Sequence, residues 1–247
     1  MDNIFLNHLY DLSKKAQLTN KYTFTHFLSL DELSVLNQNN KALGFYTLFG
    51  GIQNCERVIA RFGNPEELNY EQDFPIVILK AAPKLKKFAD TLTHRDFLGA
   101  LMNLGIERKY IGDIIVDDSV AYIFVLDKMA EYIKENLSKV KHTVIDVSLA
   151  DTINQQELCK TKSLTVNVSS LRLDCIICAV YNLSRNQANE IFGLKKVFVN
   201  GKLTENISHL VKEGDVVSVR GFGRFIFNSV GGTSRKGRIY VNVDLFI

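Results

Sequence analysis

Between residues 74 and 147 the apolar residues switch repeatedly between strand and helix spacing, and this alternation constrains the fold more than any other feature of the 247-residue chain. Phe74–Lys80 is apolar and β-branched and reads as a strand. Thr93 with Asp96 three residues on forms a capping pair for a helix. Its buried stripe is Phe97, Leu98, Leu101 and Leu104, and Gly105 closes it. Tyr110–Val116 and Val120–Leu126 read as strands about an Asp117-Asp118-Ser119 turn. Lys128–Leu137 reads as a helix with Met129, Ile133 and Leu137 inward, and Val140–Val147 as a last strand.

The order β-α-β-β-α-β is that of the ferredoxin-like, or RRM-like, split arrangement. The expected fold class is therefore α+β, in three small domains. Residues 1–72 form an N-terminal α/β domain, 73–150 the ferredoxin-like middle domain, 151–168 a linker and 169–247 a C-terminal domain. In the first, residues 2–18 read as a helix with Phe5, Leu9, Leu12 and Ala16 on one side. Asp31–Leu36 reads as a short helix, Ala42–Phe49 as a strand, and 54–62 as strand or helix. In the last, Ser170 is the expected cap of a helix Leu171–Tyr181, and Ser184 that of a helix Arg185–Phe192. Strands follow at Val197–Val199 and Val216–Arg220, then a hairpin about Gly231-Gly232.

Composition excludes several classes. The longest apolar runs, Val120–Leu126 and Cys175–Tyr181, have seven residues each, against about 20 for a bilayer span. The first residues show no basic segment leading into an apolar one, so a cytoplasmic protein without membrane contact is expected. Four cysteines are too few for a disulfide framework, and Cys175 with Cys178 reads as a pair of small residues on one helix face. Five scattered histidines give no metal spacing, and no cofactor is implied. Thr93-His94-Arg95-Asp96 resembles a kinase catalytic loop only superficially. The position five residues after Asp96 is Leu101, where that loop needs Asn. No nucleophile elbow or phosphate loop occurs either. Tyr122 and Phe124 share a strand face, but the basic-glycine start of an RNA-binding strand is missing, so core or interface packing is expected of them.

Charge points elsewhere. Residues 1–170 carry a net charge of −2, whereas 171–247 hold eleven basic and six acidic residues, a net of +5. A basic module on a neutral body suits a polyanion partner. The module has an ordered constellation: Leu171-Arg172-Leu173-Asp174, then Ser184-Arg185-x-Gln187-Ala188, then Lys195-Lys196-Val-Phe-Val199-Asn200-Gly201-Lys202, then Gly214-Asp215 and Val219-Arg220-Gly221. Ser184 and Arg185 open a helix, where free N–H groups and the macrodipole favour a phosphate. Lys195, Lys196 and Lys202 extend the track, and Arg220, Arg224, Arg235, Lys236 and Arg238 widen it.

Across about 171–221 this order resembles the RNA-binding domain of small-subunit ribosomal protein four, an S-four-type domain built on an αL motif. That family usually has glycine where this chain has Lys195, which implies a remodelled helix exit next to Gly193. Leu92–Ile106, followed by Lys109-Tyr-Ile-Gly-Asp-Ile114, and Gly50-Gly51 followed by Glu56-Arg57, are similar to the central signature of YlmH-type bacterial proteins. The resemblance implies a monomeric, non-enzymatic RNA-binding protein on the large ribosomal subunit. It implies contacts to ribosomal RNA and peptidyl-tRNA, and a part in rescue or quality control of stalled ribosomes. The RNA-contacting residues would be Arg172, Asp174, Ser184, Arg185, Gln187, Lys195, Lys196, Asn200, Gly201, Lys202, Arg220, Arg224, Arg235, Lys236 and Arg238. Two other readings compete: an RNA-modifying enzyme anchored by the basic domain, and an adaptor of the division machinery.

Overall fold

A computed structural model describes residues 2–150 and 160–246. It is a mixed α+β structure with three antiparallel sheets among the described residues. Its contacts divide into two units, residues 1–32 with 39–158, and 33–38 with 159–247.

The first unit opens with α1 (Asp2–Thr19), whose Leu9 and Ala16 are buried as their spacing requires. After β1 (Thr23–Phe24) and α2 (Leu30–Gln38) the chain departs from the expected strand at 42–49. Residues Asn40–Leu43 make a helical turn, α3, and the strand β2 is only Tyr46–Phe49. The turn is held from outside its own sequence. Leu43 is fully buried, and its carbonyl accepts a hydrogen bond from the Ser13 hydroxyl of α1 at 2.6 Å. The ambiguous 54–62 stretch resolves as a strand, β3 (Ile59–Phe62), buried at every position between β1 and β2. A short helix, α4 (Pro65–Leu68), follows.

The second sheet uses β4 (Ile76–Pro83), β5 (Ile111–Asp117), β6 (Val120–Leu126), β7 (Lys139–Val140) and β8 (Thr143–Leu149), in the spatial order β5-β6-β4-β8-β7. Helices α5 (His94–Asn103) and α6 (Asp127–Asn136) share a core with one face of it. Phe97, Leu101, Ile133, Leu79, Ile123 and Val125 are fully buried there. The strand expected at 140–147 is broken by a two-residue turn, where Lys141 adopts φ +51°. Thr93 and Asp96 pair as their spacing indicates: the Asp96 carboxylate accepts from the Thr93 N–H at 2.8 Å and its hydroxyl at 2.6 Å.

The Gly50-Gly51, Glu56-Arg57 and Ile111–Ile114 segments meet as one clasp. A Cβ on Gly51 would approach Phe124 Cδ1 to 2.5 Å, and one on Gly112 would come within 2.6 Å of Phe27. The Asp113 carboxylate accepts from the N–H groups of Glu56 (2.7 Å) and Arg57 (3.0 Å). Arg57 donates to the carbonyls of Ile111 and Phe27, and Arg108 to those of Ile111 and Gly112. Burial, with Arg57 alongside, pulls the Arg108 pKa down to about 10. The two guanidiniums satisfy carbonyls that water cannot reach.

The third sheet belongs to the second unit. Its order is β11-β10-β12-β13-β14-β9, from β9 (Thr161–Val168), β10 (Val197–Val199), β11 (Lys202–Leu203), β12 (Val216–Val219), β13 (Gly223–Thr233) and β14 (Ile239–Phe246). Helices α7 (Leu173–Tyr181) and α8 (Arg185–Gly193) bury Ile176, Ile177, Ile191 and Phe192 against it. The strand expected at 164–168 starts at Thr161 and pairs along all of β14. The final hairpin does not turn at Gly231-Gly232. Those glycines lie in β13 where its register slips against β14, and the turn is Ser234–Arg238, closed by Ser234 N–H to the Arg238 carbonyl at 2.7 Å.

Two measurements check these interactions. Gly99 is exposed in the middle of α5, and an added Cβ there would meet nothing within 4 Å. Gly99→Ala should therefore stabilise the protein by about 0.5–1 kcal/mol in urea unfolding, because only backbone entropy changes. The Thr93 hydrogen bond and Lys141, 2.9 Å away, hold the Asp96 pKa at about 2. A folded pKa below the unfolded one stabilises above the unfolded value, and that stabilisation is lost as pH falls through 2. Carbon-detected NMR titration should place the Asp96 midpoint near 2, and Lys141→Ala should move it upward.

Candidate nucleic-acid interface

The basic constellation lies entirely in the second unit. Its first helix does not start as its sequence suggests. Ser170 is not the cap of α7. Arg172 occupies that position, and the N–H groups of Leu173 and Asp174 donate to the carbonyls of His209 and Ile207. A loop that returns from far along the chain has replaced the side-chain cap. Arg172 then closes a two-point ion pair with Asp174, Nε to Oδ1 and Nη2 to Oδ2, both 3.0 Å. Its side chain still keeps 42% of its surface exposed.

Helix α8 starts as expected. Ser184 and Gln187 form a reciprocal capping box: the Ser184 N–H donates to Gln187 Oε1 at 2.9 Å, and the Gln187 N–H donates to Ser184 Oγ at 3.3 Å. Both side chains are thereby engaged with the backbone. Arg185, the next residue, is exposed and has no side-chain partner among the described residues. It shares a cleft of about 270 Å³ with Arg172, Asp174, Ser170 and Asn189. Asn189 escaped the sequence reading. It is one helical turn after Arg185, and that i+4 spacing was the available signal.

At the far end of α8 the helix closes by a Schellman pattern. Lys195 N–H donates to the Phe192 carbonyl and Lys196 N–H to the Ile191 carbonyl. The closure falls at Lys195 and not at Gly193, which stays inside the helix. Lys195 itself takes the left-handed conformation, φ +55°, and ion-pairs with Glu205 at 3.2 Å. Asn200 and Gly201, both at positive φ, make the two-residue turn between β10 and β11 and set Lys202 on its far side. The Asn200 amide also donates to Asp215 at 2.8 Å and accepts from Val216 N–H at 2.9 Å, so its side chain anchors this turn.

The remaining cations divide into two places. The Arg220 N–H donates to the Lys196 carbonyl, which brings those residues side by side, and its guanidinium lies 4.9 Å from the Phe198 ring centroid. Arg224 lies 4.0 Å from the Phe246 ring. Tyr181 packs on Phe222, joining the end of α7 to the turn between them. Arg235, Lys236 and Arg238 instead occupy the Ser234–Arg238 hairpin turn, a strand length of roughly 30 Å from Arg224. They do not adjoin the rest.

Among the described residues no group of three or more His, Cys, Asp or Glu side chains is placed to hold a metal. Cys175 and Cys178 are unbridged and half-buried, and burial pushes the Cys178 thiol pKa up.

Residues 69–155 match the family described as "Putative RNA-binding domain in YlmH". This stretch of the chain is similar to the YlmH-type RNA-binding domain. It is also 26% identical to "Ribosome-associated protein quality control protein P2" of Bacillus subtilis (strain 168), over 98% of this chain and 95% of that protein. A solved structure, "Cell division protein ylmH from Streptococcus pneumoniae", is 23% identical, covers 60% of this chain and 90% of its own, and superposes with a TM-score of 0.49.

The matched stretch contains the second sheet, α5 and α6, and the Asp113 side of the clasp. Phe124 is fully buried beneath Gly51, as the packing reading of that residue expected. The signature residues Arg57 and Asp113, joined by Arg108 from between the Leu92–Ile106 and Lys109–Ile114 segments, hold the clasp through hydrogen bonds to main chain.

Lys195→Gly tests the helix exit. A lysine at φ +55° is strained by about 1 kcal/mol relative to glycine, and its exposed ion pair returns little. The substitution should raise thermal stability. A fall would mean that the Glu205 contact governs the exit.

Proposed function

We propose that this chain is a non-enzymatic RNA-binding protein of the large ribosomal subunit, acting in the rescue or quality control of stalled ribosomes. The middle sheet is read as a ferredoxin-like domain, with the order β5-β6-β4-β8 as its four main strands. The second unit is read as an S-four-type domain whose RNA surface starts at the cleft of α7 and α8. The observation that carries the reading is Arg185: exposed at the capped start of α8, in one cleft with Arg172, and held by no internal partner among the described residues. Lys196 and Lys202 continue the surface, with Arg220 beside Lys196. Ser184, Gln187, Asn200, Gly201 and Asp174 place these cations. Arg235, Lys236 and Arg238 make a separate contact through the hairpin turn.

The RNA would be recognised by its backbone and shape, since a folded RNA helix shows few base edges in its deep groove. Similarity to a ribosome-associated quality control protein over nearly the whole chain supports the ribosome as the carrier of that RNA. Peptidyl-tRNA on a stalled ribosome is the neighbour we propose for it. On this reading the protein works in the cytoplasm as a monomer.

Binding to large-subunit RNA should lose affinity with salt at a slope of about −4 to −5 in log–log form, if about six phosphates are neutralised. Arg185→Ala with Lys196→Ala should flatten the slope by about two and detach the protein from large subunits in sucrose gradients, with the melting temperature unchanged. Affinity that is level between 50 and 200 mM salt would refute the reading.

A further inference from the structure

Phosphate-sized space lined by cations occurs a second time, within the stretch similar to the YlmH-type domain. A groove of about 580 Å³ runs between the outer side of α5 and the β7–β8 turn. Arg95, Gly99 and Asn103 line one wall, each one helical turn from the next. Asn136, Lys139 and Lys141 line the other. Asp96 is the one acidic residue of this lining, and Lys141 neutralises it at 2.9 Å. Arg95 and Lys139 are exposed and hold no partner among the described residues, so the groove has a net positive charge.

Two independent features show a surface kept open. Gly99 is a helix-interior glycine with empty space where its Cβ would be, so no packing contact explains a residue that weakens the helix. A larger side chain there would fill the groove. Lys141 is held at φ +51° in a two-residue turn, a position usually taken by asparagine or glycine. The strain buys a lysine at the groove's edge.

The opposite side of the domain is already in use. On a four-stranded sheet of this topology the central strands can offer aromatic rings to RNA. Here Phe124 lies under Gly51 and Gly112 next to Phe27, covered by the chain's own N-terminal segment. On the rest of that face Lys80 stands opposite Ser148, and Asp146 two residues along opposite Ala82.

We propose that the groove between α5 and the β7–β8 turn binds the phosphate backbone of an RNA strand. Arg95, Lys139 and Lys141 take the phosphates, and Asn103 and Asn136 add neutral polar contacts. The proposal rests on the reading of this chain as an RNA-binding protein, and gives it a second contact independent of the C-terminal cations. It also assigns a role to Arg95 and Asp96 at the start of α5.

The full-length protein and a fluorescein-labelled RNA hairpin cut from a large-subunit RNA helix test it by anisotropy at 100 mM KCl. Arg95→Glu with Lys139→Glu should weaken binding at least tenfold. Gly99→Leu, which blocks the groove without touching a charge, should weaken it about fivefold while the melting temperature holds or rises. If the double variant loses stability, Gly99→Leu decides. Wild-type affinity in the groove variants, with binding lost in Arg185→Glu with Lys196→Glu, would overturn the groove and leave the proposed function standing. Wild-type affinity in both sets would overturn the function itself.

Discussion

Arg57 and Arg108, folded back onto main-chain carbonyls, hold the first unit together. The segment carrying Phe27 and the strand β5 leave the carbonyls of Phe27, Ile111 and Gly112 out of reach of water. An unsatisfied carbonyl at such a place costs on the order of 1–3 kcal/mol, so a charged donor beside it is strongly favoured. Asp113 completes the arrangement by taking two N–H groups in return. Gly51 and Gly112 admit the backbone close enough for these bonds to form.

The same accounting sorts the polar residues of the second unit. Ser184, Gln187, Asn200 and Asp215 are occupied by caps and turns, and Asp174 by Arg172. Arg185, Lys196 and Lys202 remain outside that internal network among the described residues. Internal structure thus separates residues that place a surface from those that form it. Charge by itself draws no such line, because Lys195 and Lys196 are adjacent in sequence while only Lys195 is tied to an acid.

Much of this was legible beforehand. The helix at 2–18, the Thr93–Asp96 pair, the strands at 111–126 and the Ser184 cap follow from local periodicity and capping chemistry. The failures have one cause in common. Residues 40–43 turn helical because Ser13 and a buried site for Leu43 reward it. Ser170 loses its cap to carbonyls supplied by residues 207 and 209. Gly231-Gly232 looks like a turn and instead accommodates a register slip opposite Tyr240. In each case a contact distant in sequence overrode a local preference.

The sequence by itself determined the α+β alternation, the basic character of the last third and the caps at Thr93 and Ser184, since these depend on neighbours within one turn or one strand. Tertiary structure alone decided which cations stay unpaired, that Phe124 lies under glycine, and that Gly99 faces an open groove. Those outcomes are set by which distant segments converge, and no local period encodes that.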